Sequence, residues 1–128
     1  MKARYTVLAA LAGFGIGAVT IDQLHAQAKP PVFYVSEIDV KNVDAYQKEY
    51  SPKAQAIIKK HGGKFLAAGQ DVTAIEGVPP KARVVIQQWD SLEKIKAWRA
   101  SPEYKEVRKV GDKYATFRAF TVVGMPQP

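Results

Sequence analysis

The fold turns on one stretch, Val32-Phe33-Tyr34-Val35-Ser36-Glu37-Ile38-Asp39-Val40. It is rich in β-branched and aromatic residues, so it reads as a strand. Side chains along a strand alternate between faces. Here both faces are apolar, with Phe33 and Val35 on one and Tyr34 and Ile38 on the other. Such a strand belongs to a sheet that is covered on both sides.

Downstream of it, Asn42 or Asp44 can cap a helix that begins near Val43. Val43, Tyr46, Tyr50, Ala54, Ile57 and Ile58 recur at helical spacing and give one apolar face. Pro52 interrupts this run, and Ser51 before it suits an N-cap, so a break is expected at Ser51-Pro52, followed by a second helical piece to His61. Gly62-Gly63 is a stop signal. Lys64 to Ala68 reads as a strand that Asp71 to Glu76 continues after a bend at Gly69. Gly77 to Pro80 is a turn, and Ala82 to Trp89 is the next strand. Asp90, with Glu93 three residues on, makes a capping-box pattern. Leu92, Ile95 and Trp98 or Arg99 form the inner face of the helix that follows. Ser101-Pro102 repeats the cap-and-proline device and opens a piece marked by Tyr104, Val107 and Val110, which Gly111 ends or weakens. Thr116 to Val123 is the last strand.

The order is β-α-β-β-α-β, two βαβ halves with a Ser-Pro in each helix. It predicts a ferredoxin-like α+β fold, with a four-stranded antiparallel sheet and its helices on one face. That leaves the other face bare. Because Val84 and Ile86 alternate with Val85 and Trp89, and Phe120 with Phe117, the bare face is apolar too. The simplest cover is a second copy, so a homodimer packed sheet to sheet is expected.

Upstream lies a targeting pattern. Lys2 and Arg4 precede Tyr5 to Ile21, a run of 17 residues without charge, and Ala26-Gln27-Ala28 is an A-x-A cleavage site, with cleavage after Ala26 as the variant. Residues 1–28 are therefore expected to be a signal peptide and residues 29–128 one domain, with its core in 32–123. The implied location is periplasmic or secreted, with membrane attachment only if the leader is uncleaved. The run is short for a bilayer span of about 20 residues, and Gly13, Gly15 and Gly17 weaken it as a helix. Removing the leader takes Lys2, Arg4 and Asp22 and lowers the net charge from +7 to +6. The lysines are scattered apart from Lys59, Lys60 and Lys64, which suits a charged, solvated surface.

The residues resemble the domain of unknown function 1330 family. The resemblance is carried by Tyr34 to Val40, Tyr46, His61-Gly62-Gly63-Lys64-Phe65-Leu66, Ala97-Trp98, Ser101-Pro102-Glu103-Tyr104 and Arg108. It spans Val32 to Val123 and implies the dimeric α+β barrel. Many members lack a leader, so export is a departure. The family implies no established activity.

Several chemistries are excluded or disfavoured by composition. With no cysteine there is no thiolate nucleophile, disulfide or Cys metal site. The serines sit in no Gly-x-Ser-x-Gly elbow. One histidine in the mature chain and no carboxylate cluster leave no metal expected, and no cofactor motif is present. The strand Arg83 to Trp89 lacks the Gly and aromatic pattern of an RNA-binding sheet, so no nucleic acid is expected.

The ligand-binding candidates are Glu37, His61, Arg83, Trp98, Tyr104 and Arg108. Glu37, in mid-strand, needs a cation, with Arg83, Arg118 and Arg108 as candidates. His61 either complements a helix C-terminus or lines a pocket. Trp89, Trp98 and Tyr104 are either core or an aromatic wall. The leading expectation is an exported homodimer that binds a small aromatic or anionic molecule between sheet and helices. The alternatives are a cofactor-independent enzyme of oxygenase or isomerase type, and an interaction module without a pocket.

Overall fold

A computed structural model describes residues 29–80 and 83–126. The segment read as a signal peptide, 1–28, lies outside the described residues. Pro31–Gly124 form one compact unit. Four antiparallel strands, β1 (Val32–Val40), β2 (Lys64–Gly69), β3 (Arg83–Trp89) and β4 (Ala115–Val123), lie in the order β2-β3-β1-β4. The helices are α1 (Val43–Ala45), α2 (Ser51–Lys60), α3 (Leu92–Ala100) and α4 (Pro102–Tyr114). This is the ferredoxin-like α+β architecture, and in the single chain the sheet is open.

The register assigns the two faces. Tyr34 sits opposite Gln87 and Thr121, Ser36 opposite Val85 and Ala119, and Ile38 opposite Arg83 and Phe117. These positions form the inner face. Val32, Tyr34, Ser36 and Ile38 are all buried there, together with Val85, Gln87 and Trp89. Tyr46, Tyr50, Ala54, Ile58, Ile95, Trp98 and Tyr104 complete the core from the helical layer. The outer face carries Phe33, Val35, Val84 and Ile86 half-buried, and Phe120 and Val122 exposed.

Local structure departs from the sequence reading at four places. Ser51 does not cap a new helix. The chain runs through a π-helical turn, Tyr46–Tyr50, straight into α2, and Ser51 has helical angles. A proline removes one i→i−4 hydrogen bond and crowds the carbonyl four residues back, here that of Lys48. The wider turn before Pro52 accommodates it, with the Ser51 N–H donating to the Tyr46 carbonyl. Asn42, of the two possible caps, is the one that accepts from the Ala45 N–H. Residues 71–76 form no strand: Gln70–Pro80 is irregular and exposed, and β2 ends at Gly69. Asp90 does not cap α3. Ser91 does, accepting from the Lys94 N–H, while Asp90 pairs with the Lys94 Nζ at 2.9 Å. With Ser91 as cap, Glu93 falls one position early for a capping box. Finally, α4 continues past Gly111 to Tyr114. Gly62 has φ of 107°, which explains the stop after α2, since only glycine adopts it freely.

Candidate functional site

Between the inner sheet face and the helices lies a cavity of about 50 Å³. At the size of a single buried-water site, that is room for roughly three to five waters or a small ligand. β1 contributes Tyr34, Ser36 and Ile38, and β3 contributes Arg83, Val85 and Gln87. The π-helical turn places Tyr46 and Tyr50 over them, α3 adds Trp98, and α4 adds Tyr104 and Arg108.

The walls are aromatic and held by contacts among themselves. Trp98 stacks on Trp89 with centroids 5.2 Å apart, meets Tyr104 at 4.7 Å, and takes Tyr34 edge-on at 5.1 Å. The Tyr50 and Tyr104 hydroxyls hydrogen-bond at 2.8 Å. The Trp89 Nε1 donates to the Gln87 Oε1 at 2.8 Å, so that indole is satisfied. The Trp98 indole is not: its Nε1 is buried without a hydrogen-bond partner, although Trp98 is only 1% exposed. The Arg83 Nε is likewise buried and unpartnered. Leaving a buried donor unpaired costs about 1–3 kcal/mol, and both of these donors belong to residues that line the cavity.

The electrostatics agree. Burial raises the pKa of Tyr34, against the opposing charge of Arg99. Burial also raises that of Tyr46, opposed by Arg83, whose guanidinium reaches its phenol. Tyr50 is raised by burial and then by Tyr104. All three phenols therefore stay protonated and remain able to donate. Burial works against the charge of Arg108, but the hydrogen bond from its Nε to Asp112 Oδ1, 2.8 Å, and the Tyr104 phenol outweigh it and hold the pKa above its ordinary value. The Arg108 guanidinium also lies 3.9 Å from the Phe117 ring centre. No carboxylate and no histidine lines this cavity among the described residues. It is a site of donors and rings, suited to hold a planar acceptor or an anion.

Of the six residues singled out from the sequence, Arg83, Trp98, Tyr104 and Arg108 meet here. Glu37 does not. As an odd-numbered residue of β1 it faces outward, where it forms an ion pair with Arg118 directly across on β4. Arg83, on the inner face, could not have been its partner. His61 is also elsewhere. It caps the C-terminus of α2, and its Nε2 lies 3.0 Å from Glu103 Oε1, which Lys60 also contacts. The residues that sequence reasoning passed over are Tyr34, Ser36, Tyr46, Tyr50 and Gln87. Ser36 between Tyr34 and Ile38, and Gln87 between Val85 and Trp89, break an apolar alternation on the buried face, which was the available signal.

No curated protein matches the chain. Among solved structures, a protein of unknown function from Rhodopseudomonas palustris is similar, with a TM-score of 0.62 and 17% identity over 82% of this chain and 92% of that one. A putative antibiotic biosynthesis monooxygenase from Nitrosomonas europaea has a TM-score of 0.52 at 16% identity, covering 75% and 90%. A conserved protein from Methanosarcina mazei has a TM-score of 0.51 at 11% identity, covering 78% and 98%. At these identities the likeness is one of fold. The family model for the Domain of unknown function (DUF1330) matches residues 31–125, nearly the whole described chain, and the protein belongs to that family.

Proposed function

We propose that this protein is an exported, homodimeric binder of a small anionic or aromatic molecule, held in the cavity between sheet and helices. The observation that carries the reading is a ring-walled cavity lined by Arg83 and Trp98, each with an unpartnered buried donor, and by no acidic side chain among the described residues. A bound carboxylate or carbonyl would pair with the Arg83 guanidinium, and Trp98 and Tyr104, in contact at 4.7 Å, would present one aromatic wall to a planar body. Binding is favoured over base catalysis because Tyr34, Tyr46 and Tyr50 are held protonated and no carboxylate or histidine lines the cavity among the described residues. An oxygenase or isomerase activity would have only fold likeness behind it, and fold does not fix function.

Dimerisation is supported by the outer face. Phe120 is 43% and Val122 is 52% exposed, beside half-buried Phe33, Val35, Val84 and Ile86. A contiguous apolar patch of this kind marks an interaction surface, and a second copy is its simplest cover. Export rests on the sequence of residues 1–28 alone.

Native mass spectrometry of the protein recovered from its own cells tests the three parts together. The expected species is a dimer that lacks the first 26 or 28 residues and carries extra mass. Thermal melting with benzoate as probe tests the cavity directly. Saturation at a hundred times Kd adds about 2.7 kcal/mol and raises Tm by roughly ten degrees or more. A ligand-free dimer that gains nothing from benzoate would reject the binding reading.

A further inference from the structure

The protein has four arginines among its described residues, and they divide into two kinds. Arg108 pairs with Asp112, and Arg118 pairs with Glu37. Arg83 and Arg99 have no carboxylate within ion-pair reach among the described residues. Both unpaired guanidiniums instead engage phenols of the cavity wall, Arg83 at Tyr46 and Arg99 at Tyr34, where its Nη1 donates to the hydroxyl at 3.0 Å.

They stand at different depths. Arg83 lines the inner cavity, and its Nε is one of the two orphaned donors. Arg99 lines an adjoining cleft of about 370 Å³, bounded by β4. The two spaces share the wall made by Tyr34, Arg108 and Phe117. Arg99 also stands 5.7 Å from the Trp98 ring centre and 5.6 Å from that of Tyr104, which holds its charge over the same aromatic wall. The register gives the scale. Arg83 is opposite Ile38, and Tyr34 lies four residues further along β1, about 13 Å at a rise of about 3.3 Å per residue.

Resting on the binding function proposed above, we infer that the inner cavity and the adjoining cleft form one elongated site for an aromatic dianion. One acidic group meets Arg83 at the inner end, and the second meets Arg99 at the mouth. Trp98 and Tyr104 form one aromatic wall beside the ring that joins them. An aromatic monoacid would satisfy only the inner end. Arg99 is then the residue that sets specificity, since the other arginine of the cleft, Arg108, is paired with Asp112.

Calorimetric titration of the full mature protein at pH 7 with benzoate and with terephthalate tests this. Terephthalate is expected to bind at least about tenfold more tightly, one charge-assisted contact's worth. In Arg99→Gln the preference falls to near unity, and Arg99→Lys keeps part of it. Arg83→Gln weakens both ligands. Wild-type affinities within about twofold of each other would overturn the two-anion site but leave a one-anion binder standing. So would a preference that survives Arg99→Gln. If neither acid binds, the cavity reading falls with it. Arg99 is exposed and Arg99→Gln is expected to fold, which circular dichroism verifies.

Discussion

Ser-Pro occurs once in the helical layer of each βαβ half, and the two copies behave differently. Ser101 is extended, with φ of −63° and ψ of 139°, and caps α4. Its Oγ donates to the Trp98 carbonyl at 2.7 Å and accepts from the Tyr104 N–H at 3.3 Å. Ser51 is helical, with φ of −56° and ψ of −47°, and its Oγ only accepts from the Gln55 Nε2. A residue before proline is normally pushed out of the α region. Ser101 obeys this and Ser51 does not. The difference lies in what each segment must deliver. The second half needs a corner that brings Trp98 and Tyr104 to one place. The first needs Tyr46 and Tyr50 one turn apart on the same wall, and the π-helical turn supplies that. Such turns recur at functional sites, and this one lies over the cavity.

The largest test breaks the first half at its support. In α4, a Cβ on Gly111 would lie 2.6 Å from the Tyr50 Cε1 and 2.7 Å from its Cδ1. Tyr50 is buried and tied to Tyr104, so its ring has little room to yield. Gly111→Ala gains about 1 kcal/mol of helix propensity. The clash opposes this with about 1–3 kcal/mol and its strain falls on the π-helical turn. A net loss of up to about 2 kcal/mol is expected, read as a fall in Tm of up to roughly 15 °C. In a Tyr50→Leu background the penalty should shrink, and a double-mutant cycle measures by how much. A Gly111→Ala protein more stable than wild type would show that the ring moves freely.

A smaller effect sharpens the contrast between the serines themselves. Ser101→Ala removes a buried cap and is expected to cost about 1 kcal/mol, within the usual range of about 0.5–2 for such losses. Ser51→Ala removes no cap and should stay within about 0.5 kcal/mol of wild type. Chemical denaturation of the two variants side by side checks this. Equal losses would mean that Ser51 supports the turn in a way its hydrogen bond does not reveal.

The same pair shows what the sequence made legible. The element order, the two halves and the division of each strand into two faces followed from turn signals and alternation at period two, because burial imposes that pattern directly, whereas the register and burial showed which face the helices cover. The π-helical turn did not follow, because Ser-Pro permits both a cap and a continued helix, and contacts with α4 decide between them. Arg83, Trp98, Tyr104 and Arg108 were found as residues of suitable chemistry, and three distant elements gather them. Glu37 and His61 had equally suitable chemistry but lie on the outer face and at the end of α2. Residue type suggests a site, whereas side-chain direction decides membership, and for Glu37 the alternation already carried that direction.

The smallest expected effect concerns the seam between the halves. Lys60 and His61 end α2 in the first half, and Glu103 opens α4 in the second, directly after Ser101-Pro102. The His61 hydrogen bond, and then that from Lys60, lower the pKa of Glu103 below its ordinary value. A carboxylate depressed in the folded state adds stability above its unfolded pKa of about 4.3, and that stability is lost as pH falls through the folded pKa. Both bonds are partly exposed, so the contribution is small and screened by salt. Melting curves of wild type and Glu103→Gln should therefore differ most above about pH 5 and converge in more acidic buffer, with the gap narrowing as salt is added. A gap that stays constant through the acid range would mean that Glu103 holds the halves together by packing, and that the charge at the seam does nothing for the fold.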